Sequence, residues 1–345
     1  MHLRLSLLLV LLCAACGPKP QAEAPPAEPP TTPSTPAPAP EPPAPSAEEL
    51  EKRKADDAAR KKLAQLEVDA KAERARFNDE LRAAVKAIGE KKFPNPRAAI
   101  EAALASPHRQ PGNAERDPHR RPLQTLTFLG LRQDMTAMEV GGGDGWYTEI
   151  LAPVLRSRGK LVVTALDPKG PETAPGTFYG RRFRHYLDKS EELSGRVEVV
   201  VVDPQNMVLG HEGQVDLALV FREMHNWHRR GRRVKANLEQ IHAALKPGGT
   251  LGVVQHRAAE GANADQSAEK GYLPQAWVIE QAKAVGFVLV AKSEVNANAK
   301  DTKDYPEGVW SLPPALRQGD KDREKFVAIG ESDRMTLKFQ KRVGK

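Results

Sequence analysis

Residues 138–148 read Met138-Glu139-Val140-Gly141-Gly142-Gly143-Asp144-Gly145-Trp146-Tyr147-Thr148. The short apolar run Thr136 to Val140 leads into this stretch, and the amphipathic segment Trp146 to Leu155 leaves it. The pattern predicts a strand, a glycine turn and a helix in succession. Glycine lets the backbone bend sharply and approach a ligand, and a helix amino terminus offers unpaired N–H groups. A ligand of nucleotide type is therefore expected here, although a tight turn needs glycine with or without a ligand.

Further along, short apolar runs rich in β-branched residues recur at Lys160 to Leu166, Val197 to Val202, Val215 to Phe221 and Thr250 to Gln255. Amphipathic stretches such as Arg233 to Leu245 separate them. This alternation predicts an α/β fold with a doubly wound, mostly parallel, Rossmann-like sheet. Two more runs, Phe287 to Val295 and Met335 to Phe339, follow a helical stretch over Leu273 to Val285 and bring the sheet to seven strands. A long irregular segment separates these two runs, which allows an antiparallel edge strand. Asp167 closes the second run and Asp203 the third. An acid in the first position can accept both hydroxyls of a ribose, and one in the second can reach an adenine edge. A dinucleotide enzyme shares the glycines and the ribose acid. The spacing here, however, is GxGxG with Glu139 two residues before it, not the GxGxxG that sets a helix against a pyrophosphate.

Ala244-Leu245-Lys246-Pro247-Gly248-Gly249-Thr250-Leu251 ends a helix and starts the fifth strand. With ExGxGxG and the two acids in the same order, the chain resembles the class I S-adenosylmethionine-dependent methyltransferases. More narrowly, Trp146-Tyr147-Thr148 and Val253-Val254-Gln255-His256-Arg257 are similar to a bacterial family of predicted methyltransferases, with Gln255 standing where that family suggests Asp. The resemblance implies that Gly141, Gly143 and Gly145 wrap the methionine end of S-adenosyl-L-methionine and that Glu139 holds its amino group. It also implies that Asp167 takes the ribose and Asp203 the adenine. The reaction it implies is direct displacement, in which a nucleophile of a small-molecule acceptor takes the methyl group and alignment supplies most of the catalysis.

Parallel sheets place ligands beyond the carboxyl ends of their strands. There the chain carries Arg222-Glu223-Met224-His225-Asn226-Trp227-His228 after the fourth strand and His256-Arg257 after the fifth. His225, His228 and His256 are the candidates for accepting a proton during transfer, and helix capping or pocket filling would serve the same residues. Three histidines with Glu223 also offer metal-ligand chemistry, but no HExxH-type spacing accompanies them and no metal is assigned. Arg229, Arg230, Arg232 and Arg233 form either a steering patch or a solvated helix start. The aromatic segment Tyr305 to Pro314 is a candidate lid.

The chain has 345 residues, 52 Lys plus Arg against 45 Asp plus Glu, and only two cysteines, Cys13 and Cys16. Cysteine chemistry in the body of the protein is thereby excluded. The positive excess is spread over the chain, so no nucleic-acid partner is expected. Met1 to Cys16 combine a basic residue, an apolar run from Leu5 to Leu12 and small residues, which reads as an export signal. Its end resembles a bacterial lipobox with Cys16 as the lipidated residue, implying a membrane anchor and a place on the periplasmic face of the envelope, the outer membrane by default. A Pro/Ala-rich linker over 17–46 holds 13 of the 29 prolines. Residues 47–92 read as one charged stalk helix, single or in a coiled-coil pair, and 93–345 as the methyltransferase domain. Because adenosylmethionine is made in the cytosol, an exported binding or scaffold protein on a methyltransferase-like fold is the alternative function. A nicotinamide oxidoreductase would need the GxGxxG loop that is absent.

Overall fold

The apolar runs become strands in the computed structural model, which describes residues 46 to 343. The export signal, Cys16 and the proline linker lie outside these residues. The strands are β1 (Thr136–Val140), β2 (Lys160–Ala165), β3 (Val197–Val201), β4 (Val215–Phe221), β5 (Leu245–His256), β6 (Phe287–Ser293) and β7 (Arg334–Lys341). They form one seven-stranded sheet in the order β3-β2-β1-β4-β5-β7-β6. The first five pair in parallel, and β7 runs antiparallel to both β5 and β6. The antiparallel pairing expected at this end is thus made by β7, which inserts between β5 and the edge strand β6. This is the Rossmann-like α/β arrangement predicted from the alternation of runs.

The helices are α1 (Ala47–Arg76), α2 (Asp79–Glu90), α3 (Pro96–Ala105), α4 (Asp117–Arg120), α5 (Pro122–Leu129), α6 (Thr148–Leu155), α7 (Pro175–Asp188), α8 (Glu191–Ser194), α9 (Met224–Arg229), α10 (Val234–Ala244), α11 (Ala264–Glu269), α12 (Gln275–Ala284) and α13 (Arg323–Ile329). They cover both faces of the sheet. Successive side chains of a strand point to opposite faces, so Leu217 and Leu219 of β4 pack with Ile150 and Leu151 of α6. Ala218 and Val220 pack with Leu238 and Ile241 of α10. Cover on both sides is why the central strand is a continuous apolar run rather than an alternating one.

The single helix expected over 47–92 is two. Asn78 interrupts it, with extended backbone and a side-chain oxygen that accepts from Leu81 N at 3.0 Å, so it caps α2. The expected solvation also fails for the second helix. Val85 is fully buried, and Phe77 at the break is 2% exposed; both join the core that contains α3 and α6. Each such side chain contributes roughly 1.5–3 kcal/mol on burial, enough to hold α2 against the body. The long α1 keeps the character read from its composition, burying only Leu63 and Ala70.

Candidate functional site

At the carboxyl ends of β1 to β4 the structure encloses a cavity of about 330 Å³, walled by Gly141–Gly143, Leu166, Asp203, Glu223, Asn226 and Trp310 among others. The glycine turn makes one side. Gly141, Gly143 and Gly145 have φ of 84°, 59° and 81°, values that L side chains adopt only with strain. Thr164 of β2 secures the turn: its hydroxyl accepts from Gly141 N at 2.8 Å, and its carbonyl accepts from Gly142 N at 3.1 Å. A Cβ on Gly143 would meet nothing closer than a backbone oxygen 4.0 Å away, so that face is open. Gly145 instead lies against the ring of Tyr186, with no room for a Cβ.

The other residues picked out by the sequence fall in different places. Asp203 lines the cavity, and its Oδ1 accepts from Gln205 N at 2.8 Å. Asp167 follows the lining residue Leu166 without lining the cavity itself; like Asp203 it is exposed, and its Oδ1 accepts from Lys169 N at 2.8 Å. Glu139 faces Thr148, whose hydroxyl donates to it at 2.7 Å. This bond ties β1 to the first residue of α6. His225 is buried, with Gln255 Nε2 at 3.2 Å from its Nδ1. The ring of His256 lies 5.4 Å from that of His225, and its Nδ1 sits 2.5 Å from Ser332 Oγ. His228 parts from this pair: it bonds Asp265 Oδ1 at 2.7 Å and packs edge-on against Trp277. Among the described residues no three His, Cys, Asp or Glu side chains group as a metal site, so the three histidines and Glu223 do not converge.

Glu223 is the acid that sequence reading missed at the cavity, having been weighed only as a metal ligand. It stands so close to the glycine turn that a Cβ on Gly141 would lie 2.8 Å from its Cγ. Its position directly after β4 was the available signal. Trp310, from the segment read as a lid, also lines the cavity, with two guanidinium groups over its ring, Arg229 at 5.0 Å and Arg317 at 4.6 Å.

Burial governs the charges. It pushes Glu223 up to about 7 and Glu139 up to about 8, and it pushes His225 down to about 3. His225 is therefore neutral at ordinary pH, but so weak a base takes a proton poorly. For Glu139 the linkage sign is set by a folded pKa above the ordinary one. Its contribution to stability is complete below about pH 4.5 and is lost at up to about 1.4 kcal/mol per unit as pH rises through about 8. Glu139→Gln keeps an acceptor for Thr148 and removes the titration. Its melting temperature is expected to gain on the wild type between pH 5 and pH 8; a difference independent of pH would refute this account.

No protein-family model matches the chain, and no curated protein matches it. Solved structures with a similar fold include a SAM-dependent methyltransferase from Aquifex aeolicus, 19% identical over 59% of this chain and 94% of that one, with a TM-score of 0.40. The [4+2]-cyclase SpnF is 17% identical over 66% of this chain and 81% of its own, with a TM-score of 0.44. An S-adenosylmethionine-dependent methyltransferase from Mesorhizobium loti is 13% identical over 64% and 97%, with a TM-score of 0.39. These are distant likenesses of fold.

Proposed function

We propose that the protein is an S-adenosylmethionine-dependent methyltransferase acting on a small-molecule acceptor. The observation that carries this reading is the cavity itself: a left-handed glycine turn with an uncovered face at Gly143, in a cavity that Asp203, at the end of β3, also lines. The residues present fit the cofactor. Gly141 to Gly143 leave room for a close backbone approach, Asp203 offers an acceptor for an adenine amino group, and Glu223 offers one for an ammonium. Glu223 thus takes the part first given to Glu139, and a bound ammonium would favour its ionised form.

When bound, the cofactor supplies an electrophilic methyl group. The chain's own work is to orient and to exclude water. Trp310 and the guanidinium groups beside it close one wall. His225, held by Gln255 and packed against Trp310, stands as a neutral imidazole behind that wall and does not itself line the cavity. Export and anchoring through Cys16 belong to the same proposal.

Calorimetric titration of the full chain with S-adenosylmethionine and S-adenosylhomocysteine tests the reading. Micromolar binding is expected, weakened roughly tenfold or more in Asp203→Ala, as for loss of a hydrogen bond with a charged partner. Asp167→Ala is expected to cost less, because Asp203 lines the cavity and Asp167 does not. Failure of a folded wild type to bind either compound would overturn the proposal in favour of a binding or scaffold role.

A further inference from the structure

Beside the cavity, on the β5 and β7 side, lies a cluster of arginines with more positive charge than its acids balance. Glu331 serves three of them, accepting from Arg116 Nε at 2.8 Å, Arg120 Nε at 3.2 Å and Arg334 Nη1 at 3.0 Å. Arg120 and Arg334 are 4% and 2% exposed, and Arg120 lies 4.5 Å over the ring of Trp146. Arg222 joins them from the turn after β4. Its charge bears on Glu331, Arg120 and Arg334 and on both His225 and His256. Asp144 also faces the group and is paired with Arg182, while Glu139 and Glu223 face Arg222 as carboxyls that burial pushes up to about 8 and about 7.

Buried N–H groups are left over. Arg120 Nη1, Arg222 Nη1 and Arg334 Nε are shielded from solvent and have no hydrogen-bond partner. Native proteins satisfy nearly all such groups, and an unpartnered guanidinium N–H buried among like charges calls for an acceptor. Planar guanidinium forks match carboxylate and phosphate oxygens in pairs.

The position of the cluster selects the ligand. Its arginines do not line the glycine-turn cavity, yet Arg222 immediately precedes Glu223, which does. Arg334 pairs with His256 across β5 and β7, and the N–H of Arg222 donates to Val254 O at 2.7 Å. The group therefore sits at the joined ends of β4, β5 and β7, alongside the two histidines. The half-buried Arg222 marks the side open to an incoming ligand.

We infer that Arg120, Arg222 and Arg334 bind an anionic group, carboxylate or phosphate, of the methyl acceptor. This rests on the methyltransferase reading. Acceptors are then acids or phosphate esters, oriented so that their nucleophile faces the cavity.

The test uses the full chain with inorganic phosphate and with malonate as probes, against sodium chloride at equal ionic strength. Each is measured by thermal melting with and without saturating S-adenosylhomocysteine. At least one probe is expected to raise the melting temperature by about 2 °C or more beyond chloride, with S-adenosylhomocysteine present as well as absent. Arg222→Met should abolish that rise while melting above the wild type in the absence of anion, since it removes a charge that has no partner. Arg222→Lys should restore part of the rise. Phosphate alone acting would assign a phosphorylated acceptor, and malonate alone a carboxylic one. No rise in a protein that still binds S-adenosylhomocysteine would overturn this inference and leave the methyltransferase reading standing, as would an undiminished rise in Arg222→Met. Displacement of the anion by S-adenosylhomocysteine would overturn it too, by assigning the arginines to the cofactor's own carboxylate. Anion binding without S-adenosylhomocysteine binding would remove the acceptor assignment together with the methyltransferase reading.

Discussion

Glu331→Ala is expected to cost the folded chain about 3–5 kcal/mol, the loss typical of breaking a buried ion pair from one side. Glu331 is 5% exposed and accepts from three guanidinium groups, two of them on residues equally buried. Removing it leaves Arg116, Arg120 and Arg334 with no carboxylate among them. Burial alone would raise the pKa of Glu331, but Arg120, Arg334 and Arg116 outweigh it and hold the carboxyl far below the usual range. The linkage sign follows from a folded pKa below the ordinary one: the stabilisation is complete above about pH 4.5 and is lost as pH falls towards the folded value. Denaturant unfolding of wild type and variant should therefore show a wide gap at pH 7 that narrows in acid. A loss under 1 kcal/mol at pH 7 would mean that water or ions already stand in for the carboxylate.

Gly145→Val is expected to be comparably severe, at about 3 kcal/mol or more. A left-handed backbone costs an L residue roughly 1–2 kcal/mol, and overpacking a full core adds about 1–3. Both apply: φ is 81°, and a Cβ would stand 2.6 Å from ring atoms of Tyr186, itself 3% exposed. Circular dichroism melting and soluble yield are the readouts. At Gly143 a Cβ points into open space, so Gly143→Ala should fold with only the backbone penalty. Equal melting temperatures for the two variants would refute the distinction.

This contrast shows what can be read from the chain and what cannot. The GxGxG turn is a local pattern, as are the apolar runs, and those features alone predicted the sheet. Which glycine faces open space and which faces Tyr186 depends on a residue 41 positions away, brought back by α7. The same holds for the acids. Asp203 and Asp167 both close strands, both are exposed and each accepts from the N–H two residues on, yet Asp203 lines the cavity and Asp167 does not. Glu223 meets Gly141 because β4 pairs with β1, a neighbour distant in sequence. The arginine cluster joins residues 116, 120, 222, 331 and 334, and no window of sequence contains it. The helix break at Asn78 was legible, since Asn followed by Asp79 and Glu80 is a start signal. The helical spacing of Phe77, Leu81, Val85 and Ile88 masked it by continuing through the break.

The late arrival of β7 bears on how this protein is made. The sheet is built in sequence order as far as β5, but β6 has no neighbour until Arg334–Lys341 slide in between. Synthesis runs from the amino terminus, so β5 and β6 wait with open edges until residues 334–341 have emerged. A nascent chain stalled before residue 334 lacks an interior strand rather than a trim at the border. Assembly therefore has a sharp criterion here: the sheet closes when its seventh strand arrives, or β6 stays detached.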